Sequence, residues 1–365
     1  MYSLDKEKVL AITVFVDFGK WNMEKQDVIE ELRSLAETAG VEVVGNIYQK
    51  RDVPDSKYYI GEGKIAELKA LIEETGANLV IFENELAGSK ISNISNAVET
   101  KVIDRSMLIL DIFAGRATTN EGKLQVELAQ LKYSLPRLAS LNESSGKYGG
   151  GVGMRGPGET KLELSRRIIE KNILKKQEEL KKLKERRDLN RKSRMKGSNS
   201  KPVVAIVGYT NSGKSSLLNL LAKENIYVKN ELFATLETTT RNVWLEYGKE
   251  ILLTDTVGFI NNLPHEFIEA FGSTLEECVY ADLLLLVVDI SNPNYKKQMQ
   301  ITLELLRKLG CEAPILTVYN KIDKLNVGFV VENSDDVVYI SVKKETNIEL
   351  LKEKIKNMLF EKSSS

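Results

Sequence analysis

One stretch constrains the fold more than any other: VVAIVGYTNSGKSS, residues 203–216. Five consecutive apolar residues read as a strand buried on both faces. The loop that follows, Gly208-x-x-x-x-Gly213-Lys214-Ser215, surrounds a phosphate with backbone N–H groups only if a helix opens directly after it. A strand that turns through such a loop into a helix belongs to a doubly wound α/β sheet, with ligands at the carboxyl ends of the strands. In this reading Gly208, Tyr209, Thr210, Asn211, Ser212, Gly213, Lys214, Ser215 and Ser216 line the phosphates. Lys214 neutralises β/γ charge, and the Ser215 hydroxyl ligates magnesium.

Motifs in the right order downstream select the base. YNKID ends the apolar run PILTVY and brings Asn320, Lys321 and Asp323 to the same sheet edge. A carboxylate at Asp323 accepts from the N1–H and 2-amino group of guanine. Adenine offers neither donor, and a carboxylate left unpaired there costs about 2–5 kcal/mol. Asn320 bonds the base edge and braces the phosphate loop, while the Lys321 stem covers the ring. Backbone N–H groups near Ser341 and Val342, in ISVKK, are within reach of the guanine oxygen.

Between the phosphate loop and the base motif lies LFATLETTTRNV. A magnesium-bound nucleotide needs a hydroxyl from a segment that closes on the γ-phosphate. Thr235, Thr238, Thr239 and Thr240 are all candidates, or else residues of a loop or strand start. Thr235 is favoured because it follows Phe233 and Ala234 and precedes the apolar anchor Leu236. In DTVGFI, Asp255 meets the metal through a water, Thr256 and Val257 carry the chain, and the Gly258 N–H meets the γ-phosphate. The expected metal set is therefore Ser215, Thr235 and Asp255, and the catalytic set Lys214, Thr235 and Gly258. The residue after that glycine is Phe259, whose ring cannot orient water. Turnover should then be low until an outside group supplies polar contacts; the bland reading of the ring is core packing below this segment, and the two are compatible. Asn211 has an amide oxygen able to hold a monovalent cation such as potassium against the phosphates.

A chain of 365 residues exceeds one ordinary core. Residues 1–118 alternate β-branched runs (9–18, 41–48, 77–84) with helix-like stretches closing on Gly40 and Gly76, which predicts a parallel α/β domain. Residues 119–197 read as an antiparallel helical hairpin. Leu124, Leu128, Leu131, Leu135 and Leu138 form one seam, Leu162, Ile169, Ile173 and Leu180 the other. Pro136 is expected to bend or shorten the first helix. The intervening loop 146–161 has seven glycines and one proline, so it is expected to be non-helical. The nucleotide domain then occupies 198–362. Gly61-x-Gly63-Lys64 lacks the spacing and hydroxyl of a phosphate loop.

Net charge is formally zero, yet residues 161–196 hold 15 Lys/Arg against 6 Asp/Glu, a surplus of nine. Such a segment attracts nucleic-acid phosphates, whereas the bland alternative is a solvated helix face. Lys147, Tyr148 and Arg155 at the hairpin tip suit RNA stacking and groove contacts. Two cysteines and one histidine exclude a cysteine/histidine cluster within one chain and disfavour a disulfide framework, which points to a reduced, cytoplasmic protein. The longest apolar run, 283–288, is far too short to span a membrane.

The segments GYTNSGKSS, FATLETTTR, DTVGFI and NKID are those of a translation-factor-like GTPase. With DRSMLILDIFAGRATTNEGKLQVELAQLKY and GGGVGMRGPGETKLE, the chain resembles the HflX family of ribosome-associated GTPases over residues 8–360. The resemblance implies GTP/GDP and Mg2+ as ligands, binding to the large ribosomal subunit and its rRNA, and splitting of stalled ribosomes into subunits. It implies a cytoplasmic monomer, in part peripherally membrane-associated. It also implies that an apolar residue after Asp-x-x-Gly is normal for the group. Some members carry a further domain after the nucleotide domain, whereas this sequence runs to its final helix. Two other readings stay open: a nucleotide-gated docking switch in ribosome assembly, and ATP-dependent RNA remodelling through the first domain.

Overall fold

The computed structural model describes residues 8–19, 24–143, 157–195, 201–223, 232–233, 238–261, 267, 272–325 and 334–361. The chain divides into two compact units. One comprises Met1–Gly115 and Leu124–Leu180, the other Arg116–Lys123 and Lys181–Ser365.

The first unit runs β1 (Leu10–Asp17), α1 (Lys25–Thr38), β2 (Glu42–Lys50), α2 (Glu62–Thr75), β3 (Leu79–Phe82), α3 (Gly88–Val98), β4 (Lys101–Asp104) and α4 (Arg105–Arg116). Its sheet has the order β2-β1-β3-β4 with every pair parallel, as alternation predicts. Six of eight residues of β1 are buried, because helices cover both faces. The predicted glycine stops are real. Gly40 and Gly76 sit at φ +76° and +68°, and the Gly76 N–H returns to the Ile72 carbonyl at 2.9 Å. Gly61 precedes the first residue of α2, and the Lys64 ammonium is committed to Glu67 at 2.6 Å.

Helices α5 (Asn120–Glu143) and α6 (Pro157–Met195) follow. Ion pairs join Glu127 to Lys176 and Glu121 to Arg187, the order of an antiparallel pair. Two expectations are corrected. The first helix is not shortened at Pro136 but runs on to Glu143, and the Arg137 guanidinium donates to the Tyr133 carbonyl at 2.9 Å. The second helix begins at Pro157, inside the segment expected to be non-helical. Proline suits a first helical turn, whose N–H has no partner in any case. The rest of the tip, including Lys147, Tyr148 and Arg155, lies outside the described residues.

Polar groups at the carboxyl edge of this sheet are buried as pairs. Asp104 accepts from the backbone N–H groups of Leu86 and Met107, from the Tyr133 hydroxyl and from Arg137. Beside it, Arg105 lies between Glu31 at 2.6 Å and Glu83 at 3.6 Å. Burial pushes the Glu83 carboxyl up to about 7, against the pull of Arg105 and with the help of Glu31.

The second unit contains β5 (Val203–Val207), α7 (Lys214–Ala222), β6 (Thr239–Glu246), β7 (Lys249–Asp255), α8 (Gly272–Val279), β8 (Leu283–Asp289), α9 (Tyr295–Lys308), β9 (Ile315–Asn320), β10 (Val337–Tyr339) and α10 (Ile348–Lys356). The sheet order is β10-β9-β8-β5-β7-β6, and only β6 runs antiparallel to its neighbour. Successive residues of β5 feed opposite faces. Val204 and Ile206 pack with Leu217 and Leu221 of α7 and Leu351 and Ile355 of α10. Ala205 and Val207 pack with Leu275 and Cys278 of α8 and Leu306 of α9. This doubly wound arrangement brings Gly208, Asp255, Asp289 and Asn320 to the carboxyl edge of the sheet.

Between its ordinary value of 4.5 and about 7, the folded protein holds a proton on Glu83 that the unfolded chain has lost. The associated stability is complete below 4.5 and is lost as pH rises through 7. Glu83→Gln should therefore gain on the wild type by about 1–3 kcal/mol between pH 5 and 8. Parallel urea titrations at the two pH values measure this; a constant difference would contradict it.

Candidate nucleotide-binding site

The phosphate loop is shaped by contacts that exclude a side chain at two glycines. A Cβ on Gly208, at φ +150°, would fall 2.2 Å from the Val287 carbonyl oxygen. One on Gly213, at φ +99°, would fall 2.3 Å from the Asn320 side-chain nitrogen. Asn211 also adopts a left-handed φ of +61°. The loop therefore bends sharply and presents the N-terminus of α7, with Ser216 half-buried in its first turn.

Lys214 is buried, and its ammonium donates to the Tyr209 carbonyl at 2.8 Å. Burial pushes it down to about 8; Asp255 opposes that fall and Lys321 adds to it. Such a cation gains from any anion that enters the loop. The Ser215 hydroxyl donates to Asp255 at 2.6 Å, so two of the three expected metal ligands meet. An alcohol and a carboxylate are the hard oxygen donors magnesium takes, with its other positions left to waters and phosphates. Among the described residues, no group of three or more His, Cys, Asp or Glu could hold a metal ion unaided. The third expected ligand, Thr235, and its neighbour Ala234 lie outside the described residues. Thr239 and Thr240 open β6, and Thr240 shares a hydrogen bond with Thr254 at 2.9 Å.

The segment after β7 lies along the phosphate loop. The Phe259 N–H donates to the Gly208 carbonyl at 3.1 Å, and its carbonyl accepts from Thr210 N–H at 2.7 Å. Tyr209 adds its hydroxyl, which accepts from the Asn261 N–H at 2.8 Å. The Thr256 hydroxyl donates to the Ile206 carbonyl at 2.7 Å, and Val257 is buried. Gly258 is pressed so close that a Cβ would lie 2.9 Å from the Thr210 Cα and 3.0 Å from the Lys214 ammonium. Phe259 itself is 1% exposed, in one apolar cluster with Val207, Leu275 and Cys278. Its ring is core packing, and its backbone holds the segment to the loop. Phe233 is likewise buried, at φ +53°, and its N–H donates to the Thr210 hydroxyl at 3.0 Å.

Asn320 bridges two loops. Its amide nitrogen donates to the Ser212 carbonyl at 3.0 Å, and its oxygen accepts from the Val342 N–H at 3.1 Å. Lys321 donates to the Asn211 carbonyl at 2.9 Å. Asp323 accepts from the Ser341 hydroxyl at 2.6 Å, which holds its carboxyl below the usual range against the effect of burial. The described motif residues thus converge from four strand ends and α7. Sequence reasoning passed over Asp289, which pairs with Lys321 at 2.6 Å. Its signal was present: the apolar run of β8 ends on that carboxylate, opposite Asn320 in register.

Three family models match in succession: a GTP-binding GTPase N-terminal region over 26–114, a GTP-binding GTPase middle region over 116–194, and a 50S ribosome-binding GTPase over 203–321. A GTPase HflX from Caldanaerobacter subterraneus subsp. tengcongensis is 47% identical over 98% of this chain and 82% of its own length. The chain belongs to the HflX family of GTPases. An HflX GTPase from Escherichia coli is 41% identical over 86% of this chain and 73% of its own. A crystal structure of a GTP-binding protein from the archaeon Sulfolobus solfataricus, in complex with GDP, has a TM-score of 0.51 and 28% identity over 97% of this chain and all of that one. A second such structure, SsGBP with GDP, has a TM-score of 0.55 and 29% identity. Membership of the HflX family and the phosphate-loop domain establish the activity, hydrolysis of GTP to GDP and phosphate.

Because the Phe259 ring is enclosed, Phe259→Gln should cost about 2–4 kcal/mol in stability of the nucleotide unit. Phe259→Leu should cost less than half as much. Unfolding midpoints of the two variants test this, and an unchanged midpoint for the glutamine variant would show that the ring is not core.

Proposed function

We propose that this HflX GTPase binds the large ribosomal subunit and its rRNA through the α5–α6 hairpin and uses GTP to separate stalled ribosomes into subunits. The observation that carries the reading is the charge of α6. Residues 161–196 hold a surplus of nine positive charges, and Arg166, Arg167, Lys171, Lys175, Lys181 and Lys182 lie exposed along the helix. Fields of this kind bind RNA phosphates with steep salt dependence. Match to a 50S ribosome-binding GTPase model supports the choice of partner. Such a partner implies a cytoplasmic protein, and no described helix is long and apolar enough to cross a membrane.

At the nucleotide, residues 208–216 cradle the phosphates and Asp323 reads the N1–H and 2-amino group of guanine. Asn320 and the Val342 backbone, already bonded to one another, brace the base pocket. Ser215, Thr235 and Asp255 would hold a magnesium ion, whose charge offsets that of the β- and γ-phosphates. Lys214 and the Gly258 N–H stabilise charge on the transferred phosphoryl, and Asn211 offers an amide oxygen to potassium. No polar side chain stands at position 259, so basal hydrolysis is slow and the ribosome accelerates it. That burial also favours a second reading, in which nucleotide occupancy gates docking during ribosome assembly and hydrolysis only resets it.

Sucrose-gradient sedimentation separates the readings. Ribosomes given the protein with GTP or a non-hydrolysable analogue should fall into subunits, whereas GDP should leave them intact; intact ribosomes in every arm would refute splitting. Deleting residues 146–158 should abolish splitting while changing nucleotide affinity by less than about twofold, since the segment contributes no residue to the nucleotide site. Asp323→Asn should shift preference from guanine to xanthine nucleotides, and a retained guanine preference would remove Asp323 from the base pocket.

A further inference from the structure

Asp289 has no place in the recognition motifs, yet it is tied into them. Strands β8 and β9 pair so that Asp289 stands opposite Asn320, and the Ile290 N–H donates to the Asn320 carbonyl at 3.1 Å. The next residue, Lys321, takes a left-handed φ of +67°, which few non-glycine residues adopt. From there its ammonium donates both to Asp289 at 2.6 Å and to the Asn211 carbonyl at 2.9 Å. The carboxylate is itself fixed, for its second oxygen accepts from the Ser291 N–H at 3.1 Å and the Ser291 hydroxyl at 2.6 Å. Only 19% of the Lys321 side chain and 16% of the Asp289 side chain are exposed, so water screens the pair weakly.

A lysine stem free in solution samples many rotamers and loses them when it settles on a base. Here one ammonium is held from two sides, by a carboxylate and by the phosphate loop. We propose that Asp289 is a positioning residue for nucleotide binding: it holds Lys321 against the phosphate loop so that the stem lies ready as a cover for the guanine ring. The inference rests on the reading that Lys321 covers that ring. Pre-ordering of this kind acts on affinity, chiefly through release, and leaves the chemical step alone. Hydrogen-bond selection of the base belongs to Asp323 and is independent of it.

The test is a double-mutant cycle in the full chain, read by release of a fluorescent GDP and by steady-state GTP hydrolysis. Asp289→Asn keeps an oxygen for Ser291 but removes the charge. It should speed GDP release about tenfold and raise KM similarly, with kcat within about twofold. Guanine-over-xanthine preference should not move. Lys321→Met keeps the apolar stem and should speed release to a similar degree. The double variant should release no faster than Lys321→Met alone, because Asp289 acts only through Lys321. Effects that multiply, or an Asp289→Asn variant that releases GDP like wild type while Lys321→Met is fast, would overturn the proposal. Unchanged release in Lys321→Met would instead refute the placement of the lysine on the base, and this inference with it. If Asp289→Asn proves poorly folded, Ser291→Ala decides: release a few-fold faster supports the proposal, and wild-type release overturns it.

Discussion

The Asn320 carboxamide holds three loops in one geometry. It spans from the Ser212 carbonyl to the Val342 N–H and packs where any side chain on Gly213 would have to go. A buried amide with both ends satisfied is rigid, and one left half-satisfied is costly. The phosphate loop, the end of β9 and the loop after β10 therefore adopt their shapes together. Lys321, one residue on, repeats the tie with an ion pair to Asp289 and a bond to Asn211. The loop after β5 and the loops after β9 and β10 are thus one hydrogen-bonded object.

The other side of the phosphate loop is bound just as closely to the segment after β7. Two backbone bonds join Phe259 to the loop, and the Tyr209 hydroxyl takes the Asn261 N–H. This gives the apolar ring after Gly258 a structural role. The ring fills a space between β5 and α8 that a polar group could enter only at the expense of its hydration. The same packing that secures the segment leaves an apolar side chain at position 259.

Buried charge organises the first unit in a different way. Asp104 satisfies two backbone donors, a tyrosine and an arginine at once, and so connects the end of β4 to α5. Arg105 shares its charge between Glu31 and Glu83, and burial pushes the Glu83 carboxyl up to about 7 despite that pull. Removing one partner of such a pair would leave an uncompensated buried charge, at about 3–5 kcal/mol. At Gly61-x-Gly63-Lys64 the lysine ammonium is paired with Glu67.

Local patterns of the chain were enough for the parallel sheets, the helix stops at Gly40 and Gly76, the strand–loop–helix of residues 203–216, and the triad of Asn320, Lys321 and Asp323. Each depends on neighbours a few residues apart, whose periodicity and turn chemistry are written in order. Tertiary structure alone decided the rest. Burial of Phe259 depended on α8, and the role open to Asp289 on the register of β8 against β9. Such contacts join residues tens of positions apart, and a linear pattern carries no distance across that gap; only the packed sheet brings the partners within reach of a hydrogen bond.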